Sequence, residues 1–378
     1  MYKKIRRKDM NKKNPSMLSF IEDTPKQIHY NIENLHVLTE QIINFYLQKD
    51  YQTIWIIASG SSANGSQCAK PFLTKYLNCD VKIISPNTFI YSESNLKDND
   101  FAFVVSQSGC STNSIEALKK LKELGFPAIG LTGNIESDFK EFADMIIDYG
   151  VGIETVGYVT KGVTTLALFL ILFALQAAIK KGYISKEKYN EVFEELTDIP
   201  SRHQTIQNHT WEFYHKNKAA LTSMNVCYCC GFIQGYGIAT EAALKIGETI
   251  QIPSFAYEAE EFIHGPHLQL TPYYTLFFID DFSLGSDRLI QIYQAAHSVS
   301  DYVFAITNNP IVDDQHALRL PFEIKEPLLS PLYLLPFFQI IAYQVTTDLN
   351  KWNKHPMLAN FEKYVDSKTE TIKKVMPD

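Results

Sequence analysis

Short apolar runs that alternate with helix-length stretches constrain the fold of this chain more than any other feature. "TIWIIAS" (53–59), "VKIISP" (81–86), "FAFVVSQSG" (101–109), "PAIGLTG" (127–133) and "MIIDYG" (145–150) each read as a strand, with helical patterns between them. This spacing predicts a parallel sheet covered on both faces, because parallel neighbours need a crossover segment between them. The pattern then repeats. "NVCYCCG" (225–231), "YTLFFID" (274–280), "DYVFAITN" (301–308) and "RLPFEI" (319–324) supply a second set of strands around the helix "ATEAALKIGETI". We expect an α/β protein with two doubly wound, flavodoxin-like halves, a repeat of fold and not of sequence. The expected units are a disordered basic lead over 1–16, a first half over 17–205 and a second over 206–378, divided near 200–215.

Two further helices are legible. Asp23-Thr24-Pro25 reads as a helix start, a cap followed by Pro in the first turn, and the spacing of Ile28, Ile32, Leu35, Leu38 and Ile42 continues it to Leu47. "GVTTLALFLILFALQAAIKK" is apolar from Val163 to Ile179. It is a little short for the ~20 residues that a bilayer requires, and it carries Thr164, Thr165 and Gln176. A helix that is apolar all round is buried, so we expect no membrane association. With the apolar helix near 331–346 it is a candidate dimer interface, which makes a homodimer or larger homo-oligomer the expected assembly.

Composition removes other classes. The net charge of −7 argues against a general nucleic-acid binder. No apolar core of signal length follows the basic start, which predicts a cytoplasmic protein. Cys68, Cys79, Cys110, Cys227, Cys229 and Cys230 are scattered. The C-x-x-C at 227–230 sits in a strand without a second pair at ligand spacing, so we expect reduced thiols, no metal and no cofactor.

The turns carry the chemistry. In open α/β sheets, ligands bind beyond the carboxyl ends of the strands. Two such turns share one composition: "ASGSSANGS", with Ser59, Gly60, Ser61 and Ser62, and "SQSGCSTNS", with Ser106, Gln107, Ser108 and Ser111. Each places hydroxyls and backbone N–H groups at a helix N-terminus, where the dipole favours an anion. Such residues also cap helices without any ligand, but two hydroxyl turns on one sheet favour a phosphate. Neither matches a nucleotide P-loop or G-x-G-x-x-G, which points to a small phosphorylated molecule. The second half has no such turn, so one site per chain is expected. On the later helix, Glu241, Lys245 and Glu248 are spaced i, i+4, i+7 and share one face. That face reads either as a solvated ion pair or as a proton-transfer site beside a loop dense in Glu and His.

"SQSG" after an apolar strand, "ETVGYVTKGVTT" (154–165), "MLSFIEDTP" (17–25) and "EAALKIGETIQIPSFAYEAEEFIHGPHLQL" (241–270) together resemble the sugar isomerase (SIS) domain family. The similarity, to the isomerase half of glucosamine-6-phosphate synthase, covers most of residues 17–360 and implies two SIS domains. It implies that Ser59, Ser61, Ser62, Ser106, Gln107, Ser108 and Ser111 hold a sugar phosphate. It also implies that Glu248 moves a proton between C1 and C2. His264 would open the sugar ring, reaching the site of a neighbouring subunit, and Lys245 would lie near the reacting atoms, one helical turn after Glu241.

The chain departs from the synthase in two places. We expect it to lack the N-terminal glutaminase, since no Cys lies near its start. Aligned on His355-Pro356, the position of the synthase's imine-forming lysine falls at Phe361, with Lys354 and Lys363 out of register. SIS proteins without these features include ketosamine-phosphate deglycases, which implies release of glucose 6-phosphate and an amine. The alternatives are a phosphosugar isomerase or ammonia-dependent aminotransferase, and a non-catalytic sugar-phosphate sensor.

Overall fold

The structure, a computed structural model, describes residues 16–372. Apart from Ser16, the expected basic lead lies outside the described residues. The chain opens with α1 (Met17–Glu33), which starts eight residues before the expected Pro25. Ser16 caps it, accepting from the Ser19 N–H, while the Ser19 hydroxyl accepts from the Ser16 N–H. Pro25 lies inside the helix, where it cannot donate to the Ile21 carbonyl four residues back. Gln207 supplies the missing donor, its Nε2 2.8 Å from that oxygen. The expected single helix to Leu47 breaks at Asn34, and α2 (Leu35–Tyr46) follows.

The first sheet is formed by β1 (Thr53–Ala58), β2 (Asp80–Ile84), β3 (Asp100–Val105), β4 (Ile129–Thr132) and β5 (Met145–Asp148). Helices α3 (Ser61–Leu77), α4 (Pro86–Tyr91), α5 (Thr112–Glu123) and α6 (Phe139–Phe142) make the crossovers. Then come α7 (Lys161–Lys180) and α8 (Lys186–Thr222). The second sheet contains β6 (Cys227–Gly231), β7 (Ser254–Glu258), β8 (Thr275–Ile279), β9 (Val303–Ile306) and the two-residue β10 (Ala317–Leu318). Helices α9 (Ile233–Ile250), α10 (Ala259–Ile263) and α11 (Ser286–His297) connect these strands, and α12 (Pro331–Asp348) and α13 (Leu358–Tyr364) follow.

All pairings within both sheets are parallel. The strand orders are β2-β1-β3-β4-β5 and β10-β9-β8-β6-β7. Counted within each half, both follow 2-1-3-4-5, the flavodoxin-like order with its switch point between the first and third strands. Two strand expectations fail. Residues 319–324 are irregular, and Pro321 there has no N–H for a ladder. The segment 254–258, read as loop, is the edge strand β7, paired only to β6. Its side chains are half-buried, so it lacks the apolar run of a central strand.

The helix α8 has 37 residues and runs unbroken across the expected divide at 205–206. The largest apolar core takes Ile54 and Phe103 from the first sheet and Phe277 and Phe304 from the second, with α7 and α12 between them. The most apolar windows of these two helices are 94% and 83% buried within the chain. Their composition is accounted for without a partner, which removes the reason for assigning them to a dimer interface.

The two halves also meet where α3 crosses α9. A Cβ on Gly237 of α9 would lie 2.7 Å from the Cys68 backbone N and 2.8 Å from its Cα. Backbone at that distance cannot rotate away, so Gly237→Ala must push the two helices apart. We expect it to lower stability by about 1–3 kcal/mol in denaturant unfolding, the usual cost of overpacking.

Candidate active site

The β1 and β3 turns flank the switch point of the first sheet. After β1, Gly60 takes φ +58°, a region that favours glycine, and leads directly into α3 at Ser61. After β3, Gly109 takes φ +63°, and a Cβ there would stand 1.9 Å from the Ser137 hydroxyl. Ser106 Oγ donates to Ser111 Oγ (3.1 Å), which closes the second turn, and Ser111 precedes α5 as its N-cap residue. Asn113 Nδ2 reaches Ser59 Oγ (3.4 Å) and ties the two turns together. Ser59 and Gly60 are exposed, Ser62 and Ser111 half-buried, and Ser61, Ser106 and Ser108 buried. Together they form a cradle of hydroxyls at two helix N-termini, suited to an anion.

Gln107 behaves differently. Its side chain is buried and its Nε2 donates to Glu154 Oε2 (2.5 Å). The other donors to that carboxylate are the N–H groups of Thr160, Lys161 and Gly162, at 2.7–2.9 Å. Burial raises the pKa of Glu154, against the lowering effect of these donors.

The second half supplies the third wall. Helix α9 packs on α3 and presents Glu241, Lys245 and Glu248 to the first turn. Ser61 Oγ donates to Glu241 Oε1 (3.0 Å) and Asn64 Nδ2 to Glu241 Oε2 (2.9 Å). Lys245 Nζ lies 3.3 Å from Glu241 Oε1 and 3.4 Å from Ser61 Oγ, and it contacts Glu248 Oε1. The side chains of Glu241 and Lys245 are each 1% exposed, whereas that of Glu248 is 30% exposed. A solvated ion pair is therefore excluded, and of the three Glu248 alone is open to a ligand. Burial raises the pKa of its carboxyl against the lowering effect of Lys245. Burial would lower the Lys245 pKa, but the two carboxylates prevail and raise it.

His264 stands apart. It ends α10 and is exposed. Among the described residues, no hydrogen bond or ion pair joins it to Glu241, Lys245 or Glu248. Of the neighbouring acids, Glu258 caps α10 and Glu260 pairs with Arg288.

Sequence reasoning missed Lys368. Residues 367–369 run antiparallel to the β3 turn: Thr112 N–H donates to the Ser367 carbonyl (3.2 Å) and Thr369 N–H to the Cys110 carbonyl (2.9 Å). This places Lys368 Nζ 2.7 Å from Ser111 Oγ and 3.3 Å from Ser108 Oγ. Burial lowers its pKa. Phe361, where the alignment placed the lysine position, lies within α13 and is 64% exposed. Helix α13 lies between His355-Pro356 and the returning tail, so Phe361 falls on the helix and Lys368 at the cradle. The alternation in "SKTET" was the available signal.

At the corresponding position after β8, the second half carries carboxylates. Asp280 and Asp281 are buried, and Asp280 Oδ2 accepts from Thr307 Oγ1 (2.6 Å) and Ser286 Oγ (2.8 Å). Two carboxylates make this turn unlike the hydroxyl turns of the first half.

Two parallel, doubly wound sheets, with hydroxyl turns at the switch point of the first, define an α/β protein of the flavodoxin-like class. Residues 47–175 match the family model of the SIS domain. A glutamine--fructose-6-phosphate aminotransferase [isomerizing] from Caldanaerobacter subterraneus subsp. tengcongensis is 26% identical over 88% of this chain and 56% of its own length. The chain spans about half the length of the curated relatives it matches. A crystal structure of a Clostridium difficile 630 protein superposes with a TM-score of 0.84 at 26% identity, covering 94% of this chain and 99% of that one. The C-terminal domain of glucosamine-fructose-6-phosphate aminotransferase from Francisella tularensis gives a TM-score of 0.79 at 20% identity over 88% and 95% of the two chains.

The electrostatics of α9 can be tested directly. Glu248 should titrate above the ordinary Glu range in carboxyl-resolved NMR. In Lys245→Met the titration should move to still higher pH, because the nearby ammonium favours the carboxylate and the remaining Glu241 opposes it.

Proposed function

We propose that this chain is a phosphosugar-processing enzyme of the SIS type, with two SIS domains, that moves a proton between C1 and C2 of a ketose 6-phosphate or its amine adduct. The observation that carries this reading is the contact of Glu241 and Lys245 on α9 with Ser61 of the hydroxyl cradle, which links Glu248 to the first hydroxyl turn. The six serines of the two turns, Ser59, Ser61, Ser62, Ser106, Ser108 and Ser111, hold the phosphate, and Gln107 shapes the second turn from behind. Glu248, made more basic by burial and steadied by Lys245, is the base. His264, exposed on its own chain, opens the sugar ring of a neighbouring subunit, so the working form is a homo-oligomer. All six cysteines are free and buried, which suits a reducing cytoplasm.

Within this class, we assign the chain to ketosamine 6-phosphate deglycation. The substrate carries an amine on C1 and a carbonyl at C2. Glu248 removes a C1 proton, and protonation at C2 then leaves an imine at C1. Water adds to that imine, the amine departs, and glucose 6-phosphate remains. No step asks for a metal or an organic cofactor.

Lys368 favours a second reading. An amine with a lowered pKa, held in the cradle by the returning tail, suits imine formation with an open-chain ketose. The chemistry would then be isomerisation or ammonia-dependent amino transfer.

Two measurements separate the readings. Release of glucose 6-phosphate from a panel of ketosamine 6-phosphates, followed by a coupled dehydrogenase, should occur with wild type. It should fall by about 10³-fold or more in Glu248→Gln, with phosphosugar binding retained. Borohydride in the presence of fructose 6-phosphate should leave Lys368 unmodified in a deglycase and trap it in the second reading. Phosphosugar binding without either activity would mark a sensor and overturn both.

A further inference from the structure

Gln107 lies at the centre of the second turn, yet its carboxamide is directed away from the cradle. Three contacts hold the residue in place. Its side-chain Nε2 donates to Glu154, while its backbone carbonyl accepts from Gly133 N–H (2.9 Å) and Thr132 Oγ1 (3.0 Å). The Glu154 carboxylate has four donors for its two oxygens: Thr160 and Lys161 N–H on Oε1, and Gly162 N–H and Gln107 on Oε2. Three of those donors belong to the start of α7, where an anion is favoured by the helix dipole. The fourth belongs to the turn. Glu154 thus bonds both the N-terminus of the long buried helix and the loop that shapes the anion cradle.

Gly162 adds an independent constraint. A Cβ at this position would lie 2.7 Å from the Gln107 Cδ and Oε1 and 2.8 Å from its Nε2. Position 162 is the second residue of α7, where alanine is the better helix former. The absence of a side chain at 162 leaves the space that Gln107 needs to reach Glu154.

We propose that Glu154 is a positioning residue: its buried carboxylate holds the Gln107 carboxamide, and through it the turn from Ser106 to Ser111, in the shape that receives a phosphate. This rests on the reading of that turn as the phosphate site. Glu154 does not touch the ligand. It acts through Gln107, and replacing its carboxylate by an amide sets a donor against a donor at a buried position, which such sites do not tolerate.

The test is calorimetric binding of fructose 6-phosphate to wild type, Glu154→Gln, Gly162→Ala and the double variant, with thermal melting of each. Both single variants should weaken binding by about tenfold. The double variant should bind no more weakly than the poorer single one, because both act on one contact. Gly162→Ala should do so while its Tm is unchanged or higher, which loss of helix capping could not produce. Where Glu154→Gln fails to fold, Gly162→Ala decides alone: binding equal to wild type would overturn the positioning role and leave the phosphate site standing. Wild type that does not bind fructose 6-phosphate would overturn the site and the positioning role together.

Discussion

The junction of Lys245, Glu241 and Ser61 is the interaction on which the rest of the candidate site depends. A lysine that is 1% exposed cannot remain charged without close partners, and here it has two carboxylates and a hydroxyl. One of those carboxylates is in turn held by Ser61 and Asn64 from the other half of the molecule. The polar centre can exist only if α9 and α3 are pressed together, and Gly237 permits that approach. The fold and the site therefore rest on the same contact. Whatever separates the helices also leaves a buried charge unpaired, a far larger penalty than the loss of a surface ion pair.

The geometry divides three adjacent polar residues into distinct tasks. Glu241 bridges the halves, Lys245 sets the local potential, and Glu248, at the end of the row, retains access to solvent. Their order along one helical face produces this difference in burial: Glu241 and Lys245 lie against Ser61, and Glu248 lies beyond them. The carboxylate at the far end is open to a ligand, whereas Glu241 is committed to joining the halves.

Much of this was legible in the residues. The apolar runs in the first half announced the parallel sheet, and serines clustered after two of them marked the turns that the fold brings together. The spacing 241, 245, 248 announced a shared face. What escaped reading depends on distant partners. Pro25 reads as a helix start unless Gln207, far along the chain, is known to satisfy Ile21. The strand β7 lacks an apolar run because it lies at an edge. The roles of Gln107 and Glu154 depend on a contact across 47 positions, and that of Lys368 on one across 257. Local patterns report the environment of a segment, not the identity of the segment that folds against it.

The antiparallel return of residues 367–369 onto the β3 turn also bears on the order of events at the ribosome. The strands that carry the two hydroxyl turns lie early in the chain, whereas the amine that meets the second turn comes among the last of the described residues. The serines are therefore made long before their charged neighbours. A chain that stopped before α9 would carry every serine of the two turns and lack both Glu241, which holds Ser61, and Lys368, which holds Ser111.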